Sequence, residues 1–143
     1  MFDSLRKKYA NTFLKPYLTW YLKKERTTTV GGFQLLIKPT VFHPKYFFSS
    51  IYLLDFVSGL ELKDKQFLEI GCGSGLISLK AYQKKASVTA VDINEEAIHC
   101  TRINFQKNFG TSLSNFSFSG PPYSYSTTAL IAYLPTADLQ AYI

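Results

Sequence analysis

"FLEIGCGSGLISL", Phe67 to Leu79, is the stretch that decides how this chain is read. An apolar run leads into three glycines alternating with small residues, and a second apolar pattern follows. Phe67 to Ile70 reads as a short strand, Gly71 to Gly75 as a loop and Leu76 to Lys85 as a helix. Between a strand and a helix, glycines let the backbone turn tightly and come close to a ligand. The helix adds N–H groups that have no partner within it. A dinucleotide fingerprint, G-x-G-x-x-G, would place glycine where Leu76 stands. A phosphate-cradling loop would end in G-K-[ST], which is absent. An acid, Glu69, stands two residues before the first glycine.

A second acid completes the pattern. "SVTAVDI" is rich in β-branched residues and reads as a strand ending at Asp92, 17 residues after Gly75. Asn94 is an N-cap candidate with Glu95 and Glu96 in the first turn, where the helix dipole favours negative charge. That helix is expected to reach about Asn108, with Gly110 as its stop. Strand, helix, strand and helix at this spacing imply parallel strands joined by helical crossovers. The two strand ends then lie side by side, and Asp92 faces the glycine loop across a crevice. A carboxylate there accepts hydrogen bonds from two ribose hydroxyls and repels phosphate. The expected ligand has a ribose, an adenine-like ring and no pyrophosphate, with a cationic group near Glu69.

These residues resemble the class I S-adenosylmethionine-dependent methyltransferases. "LEIGCGSG" is similar to the first motif of that family and "VTAVDIN" to its second. "INFQKNFG" and "VFHPKYFFSS" resemble segments of the branch that modifies rRNA, tRNA or release-factor glutamine. The resemblance runs from about Thr28 to Gly110 and implies a partial Rossmann-like methyltransferase sheet, parallel βαβα. It implies S-adenosyl-L-methionine as cofactor, held by Glu69, Gly71, Cys72, Gly73, Ser74, Gly75, Asp92 and Ile93, with Asp92 on the ribose and Ile93 against adenine. The activity implied is methyl transfer to RNA or to a protein of the translation machinery. The rival reading is a cofactor-binding remnant or accessory subunit without catalysis.

An N-terminal helix and a β-hairpin precede this unit. In Ser4 to Lys24, Leu5, Tyr9, Phe13 and Tyr17 recur every four residues opposite a basic face, with Pro16 as a kink. Such a helix docks on its own domain, or lies on RNA or a membrane surface. In "TTTVGGFQLLIKP" the Gly31-Gly32 pair signals a hairpin turn. Pro44 suits a first helical residue. Phe47, Ile51, Leu54 and Val57 mark one helix face, and Gly59 marks the stop. Ser49 and Ser50 read as small residues that let this helix pack, with contact to the cofactor's carboxylate as the other reading. His43 is expected in a surface or capping role, with the lining of a substrate mouth as the other reading. The organisation expected is 1–60 for helix, hairpin and pre-motif helix, 61–110 for the cofactor-binding half, and 111–143 for an atypical tail.

The tail explains why no catalytic residue is assigned. In the family an Asn/Asp-Pro-Pro-aromatic loop holds the acceptor nitrogen after the fourth strand. Here Gly120 precedes Pro121-Pro122-Tyr123 and offers no side chain to accept a hydrogen bond. "SLSNFSFS" leaves room for one strand only before it. The chain reads as cut short, or as carrying a substituted end. Such a half sheet leaves a normally central strand as an open edge that invites self-association, unless the aromatic tail covers it.

The 143 residues carry a formal charge of +6 and are 46% hydrophobic, enough apolar material for a core. Cys72 and Cys100 have neither disulfide nor metal spacing, and His43 and His99 have no ligand pattern beside them, so no metal is expected. No apolar run reaches the roughly 20 residues of a membrane helix. The expected compartment is the cytoplasm.

Overall fold

The structure, a computed structural model, describes residues 24–46, 48–111, 114–120 and 130–134. The helix expected over Ser4 to Lys24 and the Pro121-Pro122-Tyr123 stretch lie outside the described residues.

Strands β1 (Arg26–Val30) and β2 (Phe33–Ile37) pair antiparallel, with Val30 opposite Phe33 across a two-residue turn. Gly31 and Gly32 have φ of 58° and 85°. Two consecutive left-handed residues make the turn whose twist matches a hairpin, a conformation glycine adopts without steric cost. On β2 the alternation is strict: Phe33, Leu35 and Ile37 are buried and Gln34 is exposed.

A 3-10 turn, Pro44–Tyr46, leads to helix α1 (Phe48–Gly59). Leu54 and Val57 are buried as expected, but Ile51 is 38% exposed, so the apolar face is narrower than the spacing suggests. The other side of α1 presents Phe48, Tyr52 and Phe56, all exposed.

The alternating unit follows. Strand β3 (Gln66–Ile70) leads to helix α2 (Leu76–Gln83), and β4 (Ser87–Val91) leads to helix α3 (Glu95–Phe109). Helix α2 ends two residues before the expected Lys85. Lys85 takes φ 66°, its N–H bonds the Tyr82 carbonyl, and the Ala86 N–H bonds that of Ala81. This is the paired 5→2 and 6→1 closure of a helix end, built on a lysine where glycine is usual, so the sequence carries no stop signal. Helix α3 starts as expected: the Asn94 side chain accepts the Glu96 N–H at 3.0 Å, and Gly110 closes the far end at φ 80°.

Strand β5 (Phe116–Ser119) pairs parallel with β4, and β4 pairs parallel with β3. The remaining flank of β3 is occupied. Strand β6 (Leu130–Leu134) pairs with it antiparallel, Ile70 opposite Leu130 and Gln66 opposite Leu134. The sheet order is β5-β4-β3-β6. The open edge anticipated at β3 is therefore closed by the tail, and among the described residues the outer strands are β5 and β6. Beneath the sheet, Tyr82, Phe105, Phe109 and Phe116 form an aromatic cluster, with Phe105 and Phe116 centroids 4.2 Å apart. Among the described residues, these four aromatics are spent on core packing.

Candidate cofactor cleft

A cleft of about 770 Å³ opens at the carboxyl ends of β3 and β4. In an open α/β sheet this is where ligands bind, because the connecting loops diverge there and helix N-termini point in. Three segments wall it: the glycine loop, the Val91–Asn94 turn, and the stretch from Thr40 through α1.

The glycine loop is held in shape by its own backbone. The Gly71 and Cys72 N–H groups both donate to the Val91 carbonyl, at 2.7 and 3.1 Å, which pins the loop to the end of β4. Gly73 donates its N–H to Asp92 Oδ2 at 2.8 Å. Gly75 adopts φ 80° as the residue before α2, and a Cβ there would stand 2.5 Å from the Thr101 side chain. Conformation and close approach both require glycine at that position.

The two acids expected in the site face this loop in different states. Asp92 lies just past β4 and is half-buried; Oδ1 accepts the Asn94 N–H at 2.9 Å while Oδ2 takes Gly73. A carboxylate has about four lone-pair sites, so acceptor capacity remains on the cleft side. Glu69 is 3% exposed, yet it lines the cleft. Its Oε2 accepts both the backbone N–H of Ser78, at 2.8 Å, and the Ser78 hydroxyl. Glu69 thereby caps a first-turn N–H of α2 from outside the helix. Burial pushes its carboxyl up to about 8, against the pull of the two Ser78 hydrogen bonds, and the charge of Asp92 pushes the same way.

Of the other expected residues, all but Gly75 reach the cleft. Gly71, Cys72, Gly73, Ser74 and Ile93 line it. Ile93 is 49% exposed, an apolar surface beside Asp92. Gly75 is not part of the wall; it sets the loop's exit into α2. Cys72 is buried, and burial together with the Glu69 charge raises its thiol well above the ordinary range, which keeps it protonated and non-nucleophilic.

Some side chains depart from the sequence reading. Ser49 is exposed and Ser50 half-buried, and both face the cleft, so the packing role expected for them is replaced by a place in the wall. The cause is the direction of α1, which turns Leu54 and Val57 inward and its serines toward the opening. His43 is buried, and its Nδ1 accepts the Lys45 N–H at 3.4 Å; this is a local capping contact outside the cleft wall. Phe42, Tyr52 and Phe56 line the cleft while remaining 50–74% exposed. Their aromatic character alone did not distinguish them from core residues. Among the described residues no group of three or more His, Cys, Asp or Glu is placed to hold a metal ion. Nor is any helix among them long and apolar enough to cross a membrane.

Fold and cleft together define an α/β unit with a glycine loop and an acid at the end of each of two adjacent parallel strands. Residues 61–119 match the family described as "Methyltransferase domain". Ribosomal protein L11 methyltransferase of Haemophilus influenzae (strain PittEE) is 39% identical over 56 residues, 38% of this chain and 19% of that protein. The Legionella pneumophila (strain Lens) protein of the same name is 39% identical over 69 residues, 48% of this chain and 24% of that one. The solved structure of the Pyrococcus abyssi tRNA (uracil-54, C5)-methyltransferase in complex with S-adenosyl-L-homocysteine superposes with a TM-score of 0.52. It is 23% identical, over 69% of this chain and 24% of that one. In the segment that holds the glycine loop and the two parallel strands beside it, the chain is similar to the methyltransferase domains of these proteins. The match spans 19–24% of the length of these relatives.

Proposed function

We propose that this chain binds S-adenosylmethionine in the cleft and forms the cofactor-binding part of a methyltransferase. The observation that carries this reading is the pair of acids at the ends of β3 and β4, with the glycine loop held between them. Asp92 is placed to accept the ribose hydroxyls. Ile93 offers the adenine an apolar face. Glu69 sits where a positive charge would be stabilised, and the small residues of the loop leave room for the methionine portion. When bound, the cofactor supplies an electrophilic methyl group, and the chain's own task is to hold and align it. An amine, amide or ring-carbon acceptor would have to arrive in line within about 3–3.5 Å.

For the acceptor we favour a component of the translation machinery, protein or RNA, and hence a cytoplasmic setting. The relatives named above support this choice, and the formal charge of +6 suits an acidic or RNA-associated partner.

A second reading has its own support: cofactor binding without catalysis. The resemblance places the acceptor loop after a fourth strand at the same end of the sheet as the cofactor. Here the strand beside β3 runs the opposite way. The carboxyl end of β6 therefore lies at the far end of the sheet from the cleft. Two measurements separate the readings. Calorimetric titration with S-adenosylmethionine, S-adenosylhomocysteine, NAD and ATP tests binding, and preference for NAD or ATP would sink both readings. Transfer of labelled methyl to ribosomal proteins and tRNA supports the first reading; tight binding without transfer supports the second.

A further inference from the structure

Two asparagines of α3 lie in "INFQKNFG", a segment to which the cofactor reading assigns no side-chain role. Asn104 is completely buried. Its Oδ1 accepts the Leu36 N–H at 2.6 Å, and its Nδ2 donates to the Leu36 carbonyl at 2.8 Å. One turn along, Asn108 treats Gln34 the same way, accepting at 3.0 Å and donating at 2.8 Å. Four helical residues advance about 6 Å and two strand residues about 6.7 Å, so the two steps nearly match. The asparagines thus act as a substitute strand along the edge of β2.

The pair differs in one respect. Asn104 Nδ2 also donates to the Ser74 carbonyl of the glycine loop, at 2.9 Å. Thr101, on the preceding turn, donates its hydroxyl to the Gly73 carbonyl at 3.1 Å. The Ser74 carbonyl shares its peptide plane with the Gly75 N–H, which donates to the Cys72 carbonyl at 2.7 Å; that carbonyl in turn shares its plane with the Gly73 N–H, which points at Asp92. Asn108 touches the hairpin and the Asn104 carbonyl but no atom of the loop.

We infer that Asn104 is a positioning residue for the cofactor: one side-chain amide ties the hairpin strand β2 to the glycine loop and fixes the loop in its binding shape. The inference rests on the proposed cofactor reading for its ligand, and on the hydrogen bonds alone for its effect on the loop. Asn104→Leu removes the link at nearly constant volume. Asn108→Leu removes a comparable pair of strand contacts without touching the loop, and so reports the cost of loosening the hairpin.

The test uses the full chain and S-adenosylhomocysteine as probe. Calorimetry is run under conditions where denaturation curves show each variant to be folded, and amide exchange at Gly73 is followed by NMR without ligand. The expected result is that both variants lose stability, while only Asn104→Leu weakens binding about tenfold or more and speeds exchange at Gly73. If Asn104→Leu does not fold, Asn104→Asp keeps the acceptor for Leu36, loses the donor to Ser74 and should show the same two effects. Equal affinities in the Asn104 and Asn108 variants with unchanged exchange at Gly73 would overturn the inference. Failure of the parent chain to bind S-adenosylhomocysteine would sink the cofactor reading instead, and Gly73 exchange would still decide the role of Asn104.

Discussion

Asp92 accepts the backbone N–H of Gly73 across the cleft at 2.8 Å, joining the end of one parallel strand to the loop that follows its neighbour. The same carboxylate therefore shapes the loop before any ligand arrives. Asp92→Ala should show two losses rather than one. Cofactor affinity should fall at least tenfold, since a hydrogen bond to a charged acceptor is worth roughly 1.5–3 kcal/mol. Stability should drop by about 1–3 kcal/mol, because the Gly73 and Asn94 N–H groups lose their acceptor. Calorimetry and chemical denaturation on one preparation separate the two. Undiminished affinity would show that the ribose is held elsewhere.

Glu69 makes a prediction about pH. Burial raises its carboxyl from an ordinary 4.5 to about 8, so between those values the folded protein binds a proton that the unfolded chain has released. Stability attributable to this group is then greatest below the lower value and declines as pH rises toward 8. Glu69→Gln should flatten that decline. Binding of a cation beside Glu69 favours the ionised form, so cofactor affinity should rise with pH, by up to about tenfold per unit below 8, with a proton released to the buffer. Titrations in buffers of different ionisation enthalpy measure that proton. Binding heats independent of buffer at pH 7 would mean that Glu69 does not meet the cation.

Gly75 is constrained by its backbone and by its neighbour. Its φ of 80° disfavours any side chain, and an alanine Cβ would stand 2.5–3.0 Å from atoms of Thr101. Gly75→Ala should cost about 2–3 kcal/mol, combining left-handed strain with overpacking. Adding Thr101→Ala should recover only the part due to overlap. A drop in melting temperature that the second substitution restores completely would show that backbone strain plays no part.

Local rules made much of this molecule readable in advance. The glycine loop, Asp92 at the end of its strand, the Asn94 cap and the Gly31-Gly32 turn each rest on neighbours close in sequence, where turn chemistry and periodicity act directly. What escaped depends on pairs far apart. Ser78 beneath Glu69, and Asn104 between Leu36 and Ser74, are ordinary helix residues until the fold brings their partners over them. The wall role of Ser49 and Ser50 depends on which way α1 turns, and its apolar spacing is too even to decide that. The antiparallel β6 was out of reach because an apolar strand carries no mark of direction.

Lys85 bears on stability alone. It ends α2 in the left-handed region at φ 66°, where its Cβ crowds the backbone, while its carbonyl accepts the Asp64 N–H at 3.0 Å and its N–H bonds Tyr82. Left-handed geometry costs an ordinary L-residue roughly 1–2 kcal/mol. Glycine avoids that cost but gives back about 0.5–1 kcal/mol through the freedom it gains in the unfolded chain. Both backbone bonds survive the change, so Lys85→Gly should stabilise the protein by about 0.5–1 kcal/mol without altering cofactor affinity, since Lys85 lies outside the cleft wall. Lys85→Ala should be close to neutral, because it keeps the Cβ and removes only the exposed stem and charge. Denaturant midpoints for the two variants and the parent make the comparison. Equal midpoints for glycine and alanine would mean that the helix end relaxes in solution and stores no strain at Lys85.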